Sequence, residues 1–300
     1  MCLNPIYLEK LENFVPCRKC SECKMARAQE WAVRLYSELK TTEKSCFITL
    51  TYSDEHNPGI LLKQDFQKFI KRLRKDYKLK YFACGEYGDL TLRPHFHAIL
   101  FGVNFSDDKK IFGKSKKGYP ISISDTLGKY WKLGNHTIQD CSLATMIYTS
   151  LYAQKDKKLL PDGYTPEFNL FSKSLGMAHL VANLDTYLKT DEVWIDGKAY
   201  KIPESVLKKC FVEYDSRGRI ESKDQTFIDL KEKRKRLQQL RYPKQAKVIE
   251  DMKDYLLLTN NGLAKYADIS AFDSYIEMQR NNQERAEKIQ KIKRLTKKHF

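Results

Sequence analysis

The chain has 300 residues, 42% of them hydrophobic, with 54 Lys and Arg against 38 Asp and Glu and a formal net charge of +16. This length allows one sizeable domain with an extension, or two domains, and such a charge predicts a polyanionic partner, first nucleic acid and second an anionic membrane surface. Because no run approaches the roughly 18 apolar residues of a membrane span and the N-terminus lacks a signal-peptide pattern, we expect a cytoplasmic protein without a membrane partner.

A cysteine cluster marks the N-terminal segment. Cys17, Cys20 and Cys23 follow one another at two-residue spacing, which in a reducing cytosol favours a metal site over disulfides. A closed tetrahedral zinc site needs a fourth ligand, and Cys2 is the only other cysteine nearby. We therefore predict structural Zn²⁺ on these four thiols, with an iron–sulfur cluster or unliganded thiols as alternatives. Residues 24–40 then form an amphipathic helix with one apolar stripe.

A strand at 46–52 and an amphipathic helix at 63–77 follow along the chain. The outer face of that helix carries five basic side chains, namely Lys68, Lys71, Arg72, Arg74 and Lys75. A solvated helix face often carries such charges. The same stripe could also follow a phosphate backbone, so these residues are candidate DNA contacts.

A pair of histidines in a buried strand carries the strongest chemical signal. Residues 94–102 form an apolar run, and side chains alternate between the faces of a strand, so His95 and His97 point the same way while the residue between them points into the core. A strand at 80–85 and a short polar connection predict a hairpin that places Glu86 across from the histidines. Two imidazoles and one carboxylate with open coordination positions suit Mg²⁺ or Mn²⁺ bound together with a phosphate oxygen.

Two tyrosines on a predicted helix are candidate nucleophiles. Tyr148 and Tyr152 are four residues apart on a helix at 142–156, and Lys155 follows on the same side. A tyrosine hydroxyl can attack a phosphodiester and hold the DNA end covalently. A nearby ammonium group favours the phenolate or steadies the leaving oxygen.

The order of the elements indicates an α+β fold. Residues 103–135, rich in Lys, Gly and Ser, are predicted to be a long loop or insertion that could contact DNA, and a short strand follows near 135–140. The order β-α-β-β-insert-β-α is compatible with a ferredoxin-like palm, an antiparallel sheet with helices on one face.

The remaining chain completes a division into three segments. We predict an N-terminal cysteine cluster and helix at 1–40, a central α+β domain at 41–190 and a mostly helical, basic C-terminal extension at 191–300. Within the extension a hairpin turns at 196–197, and helices are expected at 226–240, 243–258 and 270–298.

Three segments, in this order, resemble the motifs of the HUH endonucleases of rolling-circle replication initiators. Residues 47–52 look like their strand motif, residues 94–97 like their metal motif, and Tyr148, Tyr152 and Lys155 like the nucleophile motif of the two-tyrosine class. The resemblance covers about residues 1–190 and implies an HUH palm.

The cysteine segment narrows the resemblance to replication initiators of small single-stranded DNA phages, the gokushovirus group of the Microviridae. Residues 17–23 followed by Trp31 are similar to that group, and the spacing of Glu86 to His95 also looks like the ligand strand of circular single-stranded DNA virus initiators. One position departs from the pattern: Leu151 stands where these phage initiators tend to carry Lys between the two tyrosines.

The resemblance implies an enzyme that nicks single-stranded DNA at an origin and later rejoins it. Tyr152 would attack the scissile phosphate and give a 5′-phosphotyrosine and a free 3′-hydroxyl, with Lys155 assisting, and Tyr148 would take the second strand transfer. The expected partners are single-stranded DNA, supercoiled origin DNA and the helicase and polymerase of a bacterial host, because no phosphate-loop motif of a helicase occurs. The enzyme would act in the host cytoplasm.

Three alternatives stay open at this stage. An HUH relaxase or transposase of the single-tyrosine type would form only one tyrosine adduct. A metal-dependent hydrolase would nick DNA without protein attachment. A non-enzymatic, zinc-containing nucleic-acid-binding protein would bind DNA through its basic surface, and Tyr152→Phe would change nothing.

Overall fold

A computed structural model of the chain describes Cys2 and residues 5–9, 13–88, 91–115, 118–152 and 160–237; at 13, 14, 21, 144, 151 and 152 it describes the backbone alone. The chain divides into two compact units, one of residues 22–230 and one of residues 2–21 with 231–300. In the second unit β1 (Ile6–Leu8) pairs antiparallel with β2 (Asn13–Val15). Among the helices described, none has both the length and the apolar character needed to cross a bilayer.

A seven-stranded antiparallel sheet organises the unit of residues 22–230. After α1 (Ser21–Leu39), its strands and the helices between them are β3 (Ser45–Tyr52), α2 (Lys63–Leu73), β4 (Lys80–Tyr87), β5 (Pro94–Phe101), β6 (Lys110–Lys114), β7 (Pro120–Ile123), α3 (Asp125–Tyr130), β8 (Gly134–Gln139), α4 (Leu143–Tyr152) and β9 (Phe168–Phe171). The strand order is β6-β7-β8-β3-β5-β4-β9. The predicted α+β class with an antiparallel sheet is confirmed.

The central strands expose apolar side chains on both faces. Ile48 and Leu50 of β3 and Ala98 of β5 lie on one face, which we name the core face, against Phe66, Phe69 and Leu73 of α2 and Leu127 of α3. Phe47 and Ile99 lie on the other face, which we name the histidine face, against Leu35 of α1 and Met146 of α4. The expectation of helices on one face is wrong, because both faces of these strands need an apolar cover.

The insertion at 103–135 contains regular structure, contrary to the prediction of a loop. It holds β6, β7 and α3. The alternation of Ile121 and Ile123 with serines is a strand pattern, but the many Lys, Gly and Ser residues around it favoured a loop assignment. Strand β9 was also missed, since its four residues are too few to show a period.

A second apolar cluster joins the elements after β9. They are α5 (Met177–Ala182), α6 (Leu184–Thr190), β10 (Glu192–Ile195), β11 (Lys198–Lys201), α7 (Glu204–Phe211), β12 (Val212–Tyr214) and β13 (Ile220–Lys223), and residues 225–237 are helical. Leu180 and Leu184 pack with Val193 and Val206, so this cluster contains side chains from both sides of the predicted boundary at residue 190. The predicted hairpin at 196–197 is confirmed. The predicted helices 243–258 and 270–298 lie outside the described residues.

Candidate active site

The hairpin of β4 and β5 brings Glu86, His95 and His97 together on the histidine face. Its register pairs Glu86 with His95 and Cys84 with His97, so the three side chains project from neighbouring positions on the same side. The Nε2 atoms of His95 and His97 lie 3.4 and 3.0 Å from Oε1 of Glu86. We name this group the Glu–His cluster. It contains all three residues that the sequence selected as metal ligands.

Neighbouring groups hold the two imidazole rings in orientation. Nδ1 of His95 lies 3.1 Å from the backbone carbonyl of Arg93, which can only accept, so Nδ1 donates and Nε2 carries the lone pair that faces Glu86. Nδ1 of His97 lies 2.9 Å from Oγ1 of Thr49 on β3. Such contacts on the far side of a ring fix its orientation toward a metal. Thr49 was not singled out from the sequence, although its place in the β3 strand motif, in register with His97, was the available signal.

Glu86 is held ionised within the cluster. Its side chain is 3% exposed, and burial alone would raise the pKa of the carboxyl group. Hydrogen bonds and charge interactions with His95 and His97 outweigh burial and lower the pKa of Glu86 to about 2. The carboxylate is therefore in the form that binds cations at neutral pH.

The donor set of the Glu–His cluster fits a divalent cation. Adjacent ligands of an octahedral ion at about 2.1 Å lie about 3.0 Å apart, and the two Nε2–Oε1 separations are 3.0 and 3.4 Å. Two imidazoles and a carboxylate on one side of an ion leave positions for water or phosphate oxygens. The cluster is thus a group that can hold a metal ion.

Helix α4 places Tyr148 beside the cluster. The ring of Tyr148 lies edge-on to His97, with centroids 6.1 Å apart, and 6.4 Å from the ring of Phe47. The Tyr148 side chain is 43% exposed, so its hydroxyl group is open to a large substrate. Tyr152 ends the helix one turn later, where the backbone alone is described, and Lys155 lies outside the described residues.

The sequence around α4 explains its position. Ser142 and Thr145 form a reciprocal cap, because each backbone N–H donates to the side-chain oxygen of the other at 2.9 and 3.2 Å. One helical turn later, Met146 is fully buried in the apolar cluster of the histidine face. This anchoring fixes the rotation of the helix and turns Tyr148 toward His97.

The segment that holds these groups matches a known family. The family model for replication-associated protein ORF2 matches residues 45–157, which include the Glu–His cluster and all of α4. The replication-associated protein ORF2 of Spiroplasma virus 4 is 34% identical over 251 residues, which cover 76% of this chain and 75% of that protein. The chain belongs to the family of replication-associated protein ORF2. The predicted relationship to phage replication proteins is confirmed.

Two further relatives share part of the chain. The replication-associated protein VP4 of Bdellovibrio phage phiMH2K is 35% identical over 159 residues, which are 49% of this chain and 50% of that protein. The replication-associated protein ORF4 of Chlamydia phage 1 is 30% identical over 218 residues, 66% of this chain and 55% of that protein. The chain therefore spans about half the length of these two relatives. No solved structure gives a significant match.

The basic side chains of α2 lie on the other side of the sheet from the Glu–His cluster, because α2 covers the core face. Two of the five have structural partners: Arg72 donates twice to the carbonyl of Tyr130, at 2.9 and 2.7 Å, and Arg74 lies over the ring of Tyr81. The predicted stripe is therefore not beside the cluster. Lys71, Arg74 and Lys75 line an open depression of about 390 Å³. DNA binding by Lys68 and these residues remains a prediction.

The cysteines near the N-terminus form a second group that can hold a metal ion. The sulfur atoms of Cys2, Cys17, Cys20 and Cys23 lie within 4.8 Å of one another. Burial would raise the pKa of Cys17, but hydrogen bonds from the backbone of Cys20 and Lys19 and from the thiols of Cys2 and Cys20 lower it to about 7. A thiol with this pKa is readily deprotonated near neutral pH, the form that binds metals.

Proposed function

We propose that the protein initiates rolling-circle replication by nicking single-stranded DNA at an origin and transferring the cut end to a tyrosine. The observation that carries this proposal is the convergence of His95, His97 and Glu86 next to Tyr148, with Nε2–Oε1 separations of 3.0 and 3.4 Å and a ring distance of 6.1 Å. Membership of the family of replication-associated proteins supports the biological setting. The resulting enzyme is an HUH nickase and strand transferase.

The fold of the central strands supports the HUH palm. Strands β3 and β4 run parallel with β5 between them and α2 as the crossover, which is a split β-α-β unit. Strand β8 pairs with the free side of β3. Helices α2 and α3 cover one face, and the other face, although α1 and α4 pack on part of it, carries the Glu–His cluster.

We assign Mg²⁺ or Mn²⁺ to the Glu–His cluster. Bound there, the cation would supply Lewis-acid polarisation of a phosphate oxygen. The residues themselves orient it: Glu86 contributes charge, and Thr49 and the carbonyl of Arg93 hold the two imidazoles. The hard carboxylate and the borderline imidazoles are compatible with both ions.

The reaction is a transesterification on phosphorus. The hydroxyl oxygen of Tyr152 forms a bond to phosphorus, the bond from phosphorus to the 3′ oxygen breaks, and the DNA is left with a 5′-phosphotyrosine and a free 3′-hydroxyl. The tyrosine proton is lost and the leaving 3′ oxygen gains one, with Lys155 assisting, because a tyrosine pKa of about 10 leaves the hydroxyl mostly protonated at neutral pH. Tyr148 takes the second transfer, which closes a circle.

The test is covalent capture of DNA. The full chain is incubated with Mn²⁺ and single-stranded oligonucleotides that cover the candidate origins of its own genome, and denaturing gels are searched for a protein–DNA band. Tyr152→Phe and Tyr148→Phe are compared with Tyr214→Phe, an exposed tyrosine on the separate β12–β13 hairpin. Loss of the band in Tyr152→Phe alone supports the assigned roles, and loss in Tyr148→Phe alone reverses them.

The same gels separate the competing functions. A second adduct formed through the other tyrosine supports a two-tyrosine initiator over a single-tyrosine relaxase or transposase. Nicks without attached protein would indicate a hydrolase without a covalent step. Tight DNA binding with neither band nor nick would indicate a non-enzymatic binding protein and contradict the proposal.

We assign structural Zn²⁺ to the cysteine group. Four thiols at bonding proximity match the tetrahedral ligand set of structural zinc. Metal analysis of the purified chain should give one zinc per molecule, and Cys20→Ser should lose it, while Cys210→Ser, outside the group, should keep it. Iron with visible absorption would replace zinc by an iron–sulfur cluster, and no metal would leave the thiols unliganded.

The partners follow from the proposed reaction. A formal charge of +16 suits single-stranded DNA and supercoiled origin DNA. The free 3′-hydroxyl needs a polymerase, and strand separation needs a helicase; both would come from the bacterial host, in whose cytoplasm the protein would act.

A further inference from the structure

The hairpin of β6 and β7 forms one edge of the seven-stranded sheet. It is joined to the sheet through β7, where Ser122 pairs with Ile138 of β8, and β6 is the outermost strand. The side chains of β6 are exposed, apart from the intermediate Gly113. An edge strand of this kind presents its backbone and side chains to a partner.

The hairpin carries the two most exposed large apolar side chains of the described chain. Ile111 is 74% exposed and Phe112 is 72% exposed, and Tyr119 before β7 is 40% exposed. Single exposed apolar residues are ordinary on protein surfaces, whereas adjacent ones on a projecting element form a patch that fits an interaction site.

A β-bulge sits at the centre of this patch. The pairing of Ile111 with Ser122 and of Gly113 with Ile121 leaves Phe112 as the additional residue of β6. A bulge redirects the side chain of the additional residue and interrupts the edge, which discourages pairing with a further strand. The hairpin therefore presents an aromatic ring rather than a regular edge for strand addition.

The charge around the patch is entirely positive. Between residues 109 and 124 the sequence has five lysines and no acidic residue. Lys109 and Lys110 reach Asp140 and Asp125 outside the segment, while Lys114 is exposed on β6 next to the bulge. Exposed aromatic and apolar groups among lysines are the combination that binds single strands, since bases stack on rings while ammonium groups contact phosphates.

We propose that the β6–β7 hairpin binds single-stranded DNA, with Phe112 stacking on a base and Lys114 contacting the backbone. The occupant is a single strand rather than a duplex, because duplex bases already stack on one another. Strands in a sheet lie about 4.8 Å apart, so β6, four strands from β5, is about 19 Å from the Glu–His cluster. This distance lets the hairpin hold a strand several nucleotides away from the cleavage position.

The test measures equilibrium binding without cleavage. The full chain is titrated into a fluorescent 20-nucleotide oligo(dT) in EDTA, and Phe112→Ala should raise Kd at least about fivefold. Phe112→Trp should retain native affinity. Lys114→Gln should reduce the salt dependence, with the slope of log K against log salt falling by about 0.7.

Trp194→Ala is the matched control, because Trp194 is an aromatic residue 62% exposed on the separate β10–β11 hairpin; its affinity should stay native. A 20-base-pair duplex should bind Phe112→Ala as tightly as the native chain. Equal affinity of native and Phe112→Ala for oligo(dT) would overturn the proposal, as would equal losses for single strand and duplex. Loss confined to binding of anionic phosphatidylserine vesicles would assign the patch to a membrane instead. Since EDTA suppresses cleavage, absence of nicking activity leaves this result readable.

Discussion

The core face and the histidine face of the central sheet are built from alternating residues of the same strands, yet they serve different purposes. On β5, Phe96 is fully buried against α2 while His95 and His97, its neighbours in sequence, meet Glu86 on the other side. The core face is apolar along its length. The histidine face is apolar where Ile99 packs and polar where the histidines stand, so one strand supplies stability and chemistry through its two-residue period.

The largest effect on stability is expected at Phe96. Its ring contacts those of Tyr52, Phe66 and Trp131 at 5.5–5.9 Å. Phe96→Ala should lower the free energy of unfolding by about 3–5 kcal/mol, because it removes a buried ring and leaves a cavity. Urea denaturation followed by circular dichroism measures this change. Phe112→Ala, at an exposed ring, should change it by less than about 0.5 kcal/mol; similar losses in both variants would contradict the assignment of the core face.

The largest effect on cleavage is expected at His97. His97→Ala should slow formation of the protein–DNA adduct about 100- to 1000-fold, equivalent to about 3–4 kcal/mol, because the cation loses a ligand. Single-turnover gels with Mn²⁺ measure the rate. His56→Ala removes an exposed histidine outside the cluster and should keep the native rate. A native rate in His97→Ala would remove the Glu–His cluster from the reaction.

A smaller effect is expected at Thr49, which orients His97 without contacting a cation. Thr49→Val keeps the shape but loses the 2.9 Å contact to Nδ1, so Mn²⁺ affinity should fall about 10- to 100-fold. Isothermal titration calorimetry measures this affinity. Thr49→Ser retains the hydroxyl group and should bind Mn²⁺ nearly as the native protein does; equal weakening in both variants would point to packing rather than to the contact.

The smallest effect is expected from the lysines of α2. Because α2 lies on the core face, Lys68→Gln combined with Lys71→Gln should change the rate of adduct formation on a short oligonucleotide by less than about twofold. If the predicted DNA contacts exist, affinity for long single strands should lose about 0.7 of salt slope for each lysine. A strong loss with the short oligonucleotide would show that substrate reaches both faces during cutting.

The site was more accessible from the sequence than the fold around it. The alternation of His95 and His97 and the short connection to Glu86 are local, so they predicted the cluster that the register brings together. The insertion could not be predicted in this way, because β6 and β7 are held by pairing with β8 and by little apolar periodicity of their own. Tyr152 and Lys155 remain sequence predictions.

The sequence alone determined the α+β class, the three predicted metal ligands, the cysteine group and the basic charge, since these depend on residue type and on spacing along a strand or helix. Only the tertiary structure decided which face each helix covers. It placed Tyr148 at His97 and α2 on the opposite side, and it revealed Thr49 as the partner of His97. The physical reason is that strand order and helix docking arise from contacts between residues far apart in the chain, which local patterns do not encode.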